Sequence, residues 1–158
     1  YNSYDFKVYQ KLTENMVGSL SYHVAAINSL EDSDVRVSER IYLSSKKLRG
    51  FKRGKIGPKD NNDFIGGNYA TALSLSSTLP TFLPQLDNID FGVFIDAANL
   101  WGVDYNSDLD ESKLRSSTGF ALDWLTPVGP LSFVIAQPLS KSSTDIEETF
   151  RFDLGTTF

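Results

Sequence analysis

The 158-residue chain has no cysteine, one methionine and one histidine. Without thiols it forms no disulfide, carries no thiolate nucleophile and builds no cysteine-ligated zinc site, which suits the cytosol and a cell envelope equally. His23 is the sole histidine, so a two-histidine metal site is excluded. Also missing is any apolar run of about eighteen residues, and with it any transmembrane helix. A membrane β-barrel stays open, because its strands need only about nine to eleven alternating residues each. The marks of disorder are absent too: 41% of the residues are hydrophobic and 13% aromatic, at a net charge of −5. The chain starts at Tyr1 with no charged-then-apolar leader, so a processed chain or an excised piece is expected.

What is present is alternation with a period of two, the signature of a two-faced strand, in seven segments. Residues 4–13 set Tyr4, Phe6, Val8 and Leu12 against Asp5, Lys7 and Lys11. Residues 17–28 set Leu20, Tyr22 and Val24 against Ser19, Ser21 and His23. Residues 67–79 carry Tyr69, Leu73, Leu75 and Leu79 opposite Ala70, Ala72, Ser74 and Ser76. Residues 89–98 carry Ile89, Phe91, Val93 and Ile95 opposite Asp90, Gly92, Phe94 and Asp96. Residues 117–125 and 131–137 follow, and 149–158 place Phe150, Phe152, Leu154 and Phe158 opposite Arg151, Asp153, Gly155 and Thr157.

The connections alternate in length. Tight turns near Glu14-Asn15 and at Thr126-Pro127-Val128-Gly129-Pro130, and a moderate link at 80–88, take turns with a stretch of nearly forty residues (29–66) and polar connections at 99–116 and 140–148. A soluble sandwich has no reason for this rhythm. A membrane barrel does, with short periplasmic turns at one rim and long external loops at the other. The last strand then runs toward the short-turn rim and places Phe158 there. Seven strands do not close a barrel, and open edges cost several kcal/mol per unpaired group in lipid. The expected fold is all-β: the C-terminal portion, residues 1–158, of a larger antiparallel transmembrane β-barrel.

The 29–66 connection holds nine of the fifteen basic residues, among them Arg40, Lys47 and Arg49. Such a loop can bind nucleic acid, lipid phosphates or acidic groups within a lumen. Its Leu48, Phe51, Ile56, Phe64 and Ile65 indicate that it folds onto something. Enzymatic signatures are lacking. No nucleophile elbow surrounds a serine, and Gly66-Gly67-Asn68 lacks the Gly-Lys-Ser/Thr ending of a phosphate loop. The acidic groups at Asp108, Asp110 and Glu111 and at Asp145, Glu147 and Glu148 read as solvated external charge.

Leu48-Arg49-Gly50-Phe51, then Ile56-Gly57-Pro58, then Gly66-Gly67-Asn68 opening a strand resemble the sixth external loop and following strand of the BamA family of outer-membrane protein assembly factors, in the bacterial surface antigen superfamily. Phe94-Ile95-Asp96, Thr126-Pro127-Val128-Gly129-Pro130-Leu131 and Ala136-Gln137-Pro138-Leu139 resemble later motifs of that family in the same order. The last strand resembles the β-signal of outer-membrane barrels: Phe150, Phe152 and Leu154, then Gly155 and a terminal Phe158.

The resemblance implies a sixteen-stranded barrel, of which these would be the last seven strands, preceded by nine more and by periplasmic POTRA domains. It implies insertion of client barrel proteins into the bacterial outer membrane, with no enzymatic activity and no cofactor. The partners would be lipids, unfolded clients and accessory lipoproteins bound through the periplasmic domains, with no nucleic acid. It also implies that the Leu48–Phe51 tip folds into the lumen and that Arg49 meets the wall. Asp96 has lumen parity and suits a guanidinium fork, and Phe94 shares its face. Ala98 stands where the family pattern has glycine, and a second acidic wall partner is replaced at Ser76. Alternatives are a secretion pore of the same superfamily, a passive porin and, if the protein partitions into buffer, a soluble sandwich.

Overall fold

The structure, a computed structural model, describes residues 1–30, 33–80, 85 and 87–155. Among the described residues there are nine strands: β1 (Asn2–Thr13), β2 (Met16–Ala26), β3 (Lys59–Asp60), β4 (Asp63–Phe64), β5 (Tyr69–Leu79), β6 (Ile89–Trp101), β7 (Arg115–Thr126), β8 (Gly129–Ser140) and β9 (Phe150–Leu154). Seven of them form one antiparallel meander in the order β1-β2-β5-β6-β7-β8-β9, while β3 and β4 pair with each other. The six long strands run 11 to 13 residues. At about 3.3 Å per residue and a tilt of about 40° such strands cross the ~25 Å apolar layer of a membrane.

The seven expected strands are the seven of this sheet, with shifted ends. The sixth was expected over 131–137, where Leu131, Phe133 and Ile135 alternate. β8 nevertheless runs from Gly129 to Ser140. Pro138 sits where the β7 register slips, between Ser117↔Pro138 and Ser116↔Ser140, and a bulge spares the missing N–H. The β3–β4 hairpin was not anticipated, since two residues per strand carry no period. The last expected strand, 149–158, is observed from Phe150 to Leu154, and Phe158 lies outside the described residues.

The two faces of the sheet are inverted relative to a soluble protein. Ile95, Phe120, Ile135 and Leu154 are 54–63% exposed, whereas Asp96, Arg115 and Ser117 on the other face are fully buried. Charged residues occupy the concave face and an apolar band covers the convex one, the distribution that a lipid surround demands. Pairing stops at both ends of the sheet. Every residue of β1 is exposed, and among the described residues β9 has five ladder positions on β8.

The concave face is filled by the 29–66 connection. Its neck closes through Ile27 N–H to Asn68 O at 2.8 Å and a bridge between Ile41 and Gly67. Leu43, Leu48, Phe51 and Ile56 then pack on Ala25, Ala70, Ala72, Ala98 and Leu100 of the wall. Alanines at those wall positions leave the volume that the loop occupies. At Gly57, whose φ is +92°, the loop backbone lies so near the wall that a Cβ would come 2.7 Å from Leu100 Cδ2. This apolar seam buries the loop, and the buried loop sets the site.

Candidate functional site

Leu48 and Phe51 are almost fully buried, and between them the chain turns sharply at Gly50, with φ +89°. A Cβ at Gly50 would meet Ala136 Cβ at 3.1 Å and Ser117 Cβ at 3.3 Å, so only glycine lets the tip both turn and touch the wall. With its neighbours anchored, Arg49 points at β6. Its Nε donates to Asp96 Oδ2 at 2.7 Å and its Nη2 to Oδ1 at 2.6 Å, a bidentate fork. Its backbone N–H reaches the same Oδ2 at 3.0 Å. Ser74 Oγ donates to Oδ1 at 2.6 Å, bringing the hydrogen bonds on this carboxylate to four, which fills its acceptor capacity. The guanidinium lies 3.6 Å over the Phe94 ring, and Ser117 Oγ donates to the Arg49 carbonyl.

The structure thus brings Arg49, Phe94 and Asp96 together. The strand that follows the loop carries no acidic partner at position 76, as expected, and contributes Ser74 instead, which accepts from Arg49 Nη2 at 2.9 Å. Ser76 is turned to Ser19, with their hydroxyls 2.6 Å apart. The reason is register: Ser74 and Ser117 are the cross-strand partners of Asp96 on either side, so the three form one row. Parity gives a residue's face, but only the register gives its row.

The basic loop spends much of its charge inside the molecule. Besides Arg49, Lys47 pairs with Asp5, which also meets His23 Nδ1 at 2.8 Å. His23 is a buried, partnered wall residue. Arg40, fully buried, binds Asp104 in the β6–β7 connection, and Asp104 Oδ2 accepts from Val35 N–H at 2.7 Å and Asn68 Nδ2 at 3.0 Å. Burial pushes the Asp104 carboxyl up, but these hydrogen bonds and the Arg40 charge outweigh it and hold the group below its ordinary value. Lys55 and Lys59 lie over the Phe64 ring at 5.4 and 5.2 Å. Among the described residues no group of three or more His, Cys, Asp or Glu side chains is arranged to hold a metal ion.

One acidic residue departs from expectation. Asp145, grouped by composition with solvated charge, is buried against Arg115 of β7, Nε to Oδ2 at 2.7 Å and Nη2 to Oδ1 at 3.1 Å. A polar segment around it gave no signal that one of its carboxylates turns inward. On β9, Phe150, Phe152 and Leu154 face outward, with Phe152 packed 5.0 Å from Phe133 between ring centroids. Arg151 faces inward, donating to Ser45 of the loop and pairing with Asp153 at 2.8 Å. Gly155, at φ +66°, donates its N–H to Pro130 O at 2.8 Å.

An apolar exterior, a charged interior and a long loop locked inside define the wall of a plugged membrane β-barrel. The chain belongs to the Omp85 superfamily, whose domain description matches residues 1–158. It is 30% identical over 149 residues to the outer membrane protein assembly factor BamA of Neorickettsia risticii, covering 92% of this chain and 20% of that protein. It is 32% identical over 152 residues to a SAM50-like protein of Schizosaccharomyces pombe, covering 89% and 31% respectively. Among solved structures, BamA from Haemophilus ducreyi lacking POTRA domains 1–3 matches with a TM-score of 0.85 at 32% identity, over 95% of this chain and 33% of that one. The chain therefore spans about a fifth to a third of these relatives' length. Its convex apolar band is the lipid face of an outer-membrane barrel.

Proposed function

We propose that this chain is the plugged, seam-bearing side of a barrel that folds other β-barrel proteins and inserts them into the outer membrane, acting without enzymatic chemistry or a cofactor. The observation that carries this reading is the three-bond lock of the loop tip on Asp96, from the Arg49 backbone N–H, Nε and Nη2. A passive porin conducts through its lumen and has no use for a plug fixed by a buried fork. Support comes also from the likeness to assembly factors in bacteria and to a SAM50-like protein in yeast, along nearly the whole chain.

In mechanism, the chain supplies an edge. β9 alternates outward Phe150, Phe152 and Leu154 with inward Arg151 and Asp153, and is held to β8 over five residues. Strand addition to such an edge gives affinity through main-chain hydrogen bonds and specificity through alternate side chains. A short strand also presents a low apolar face, which thins the lipid beside it and eases insertion. The partners are unfolded barrel clients, outer-membrane lipids and accessory lipoproteins held by periplasmic domains.

Depletion of the full-length protein in its host tests the reading. The amounts of unrelated outer-membrane barrels should fall together, and an Arg49→Ala copy should restore them poorly. Normal barrel levels, with one soluble protein stranded in the periplasm, would instead make this a secretion pore of the superfamily.

A further inference from the structure

The buried pair Arg115–Asp145 lies apart from the Arg49 lock, and three external connections meet on it. Asp145 accepts from Ser142 N–H at 2.7 Å within the β8–β9 connection, and at the longer distance of 3.4 Å from Gly57 N–H of the plug loop. Arg115 Nη1 donates to Lys113 O at 2.9 Å, and Nη2 lies 3.9 Å from Glu111 in the β6–β7 connection. Glu111 in turn accepts from Ser142 Oγ. Both members of the pair have fully buried side chains, so their charges have no solvent to fall back on.

Immediately beyond the pair, the β8–β9 connection runs along the plug as an extra strand. Lys52 N–H donates to Ile146 O at 2.9 Å, Ile146 N–H to Lys55 O at 3.0 Å, and Glu148 N–H to Gly50 O at 2.9 Å. Gly50 adjoins Arg49. Three residues past Glu148, Arg151 of β9 donates to Ser45, again in the plug. Among the described residues β9 has five ladder positions on β8, preceded by Ala136 N–H to Thr149 O at 2.8 Å, against eleven between β5 and β6, so these loop contacts add to a short ladder in fixing its start.

We infer that Arg115 and Asp145 are positioning residues for the terminal strand: they hold residues 141–149 on the one path that pairs with the plug, so that the Arg49 lock and the β9 edge are set as a unit. The inference rests on the reading of β9 as the working edge. Its physical basis is a two-partner node whose loss frees the connection from the plug and from β7 together.

Amide hydrogen exchange on the full-length protein in lipid vesicles tests it, because merely structural damage loosens every strand alike. Asp145→Asn should speed exchange at residues 50–55 and 146–154 about tenfold, the scale of losing a charge-assisted hydrogen bond, while β2 and β5 keep their protection. Arg49→Ala should loosen residues 146–154 as well, and the double variant should add little. Acceleration confined to 141–145, or equal in all strands, would overturn the assignment. Should Asp145→Asn fail to fold, the double replacement Arg115→Met, Asp145→Leu leaves no orphaned charge, and native protection of residues 146–154 in it would be equally decisive against. Client insertion measured in parallel separates the two ideas: a selectively loosened edge with unimpaired insertion supports the positioning role and counts against the assembly reading.

Discussion

Asp96 is fully buried, and truncation of Arg49 takes away both its bidentate fork and its counter-charge. Breaking such a pair from one side costs about 3–5 kcal/mol. Arg49→Ala should lose about that much in urea unfolding of the full-length barrel, and Arg49→Lys should recover only part, since an ammonium gives no fork and stacks poorly on Phe94. Gly50→Ala should cost about 1–2 kcal/mol from the positive φ alone and more from the contacts with Ala136 and Ser117, read as proteolysis of the loop tip. Asp104 gives a pH prediction. Its folded pKa lies below its ordinary 3.8, so its stabilising contribution is complete above that value and is lost as pH falls from there through the lowered one. Protease cleavage of residues 33–40 should rise in that window, and Asp104→Asn should abolish the pH dependence. Arg49, Phe94 and Asp96 were legible because a tip motif and strand parity bring a fork to a carboxylate. Ser74 and Ser117 were not, because rows need register, and Asp145 was not, because burial of a loop carboxylate is decided by where Arg115 stands.

At the level of elements, the outward faces carry a prediction that separates this sheet from a soluble one. Ile95, midway along β6, is 54% exposed and would tolerate arginine in water. In lipid the change Ile95→Arg should cost about 2–4 kcal/mol, seen as a lower urea midpoint for the vesicle-inserted protein. The alternation of large and small residues revealed all seven sheet strands, since a lipid face and a lumen face impose opposite chemistry at every second position. Strand ends were less legible. β6 continues to Trp101 because Leu100 is drawn into the plug's apolar cluster, a tertiary cause invisible in local pattern. β8 runs on past Pro138 to Ser140, where a bulge at Leu139 shifts the register against β7.

The sheet as a whole has two unsatisfied edges, and the 158-residue chain expressed by itself should form no stable monomeric pore. Electrophoresis without boiling should show the same mobility as after boiling, whereas a closed barrel shifts. The plug, meanwhile, ends at Arg49, roughly midway down the strands. Below it, toward the periplasmic rim, the inner wall carries Ser19, Ser76, Thr78, Asp90, Gly92, Ala121 and Asp123 around a cavity of about 160 Å³. Above it, Leu43, Leu48, Phe51 and Ile56 pack the plug on the wall alanines and Leu100, and the external connections knot together over it. On the proposed reading, the plug and the space below it therefore sit at different depths of the wall. A sideways parting of the wall confined to the lower half would admit lipid and polypeptide from within the envelope while giving solutes in the surrounding medium no route through.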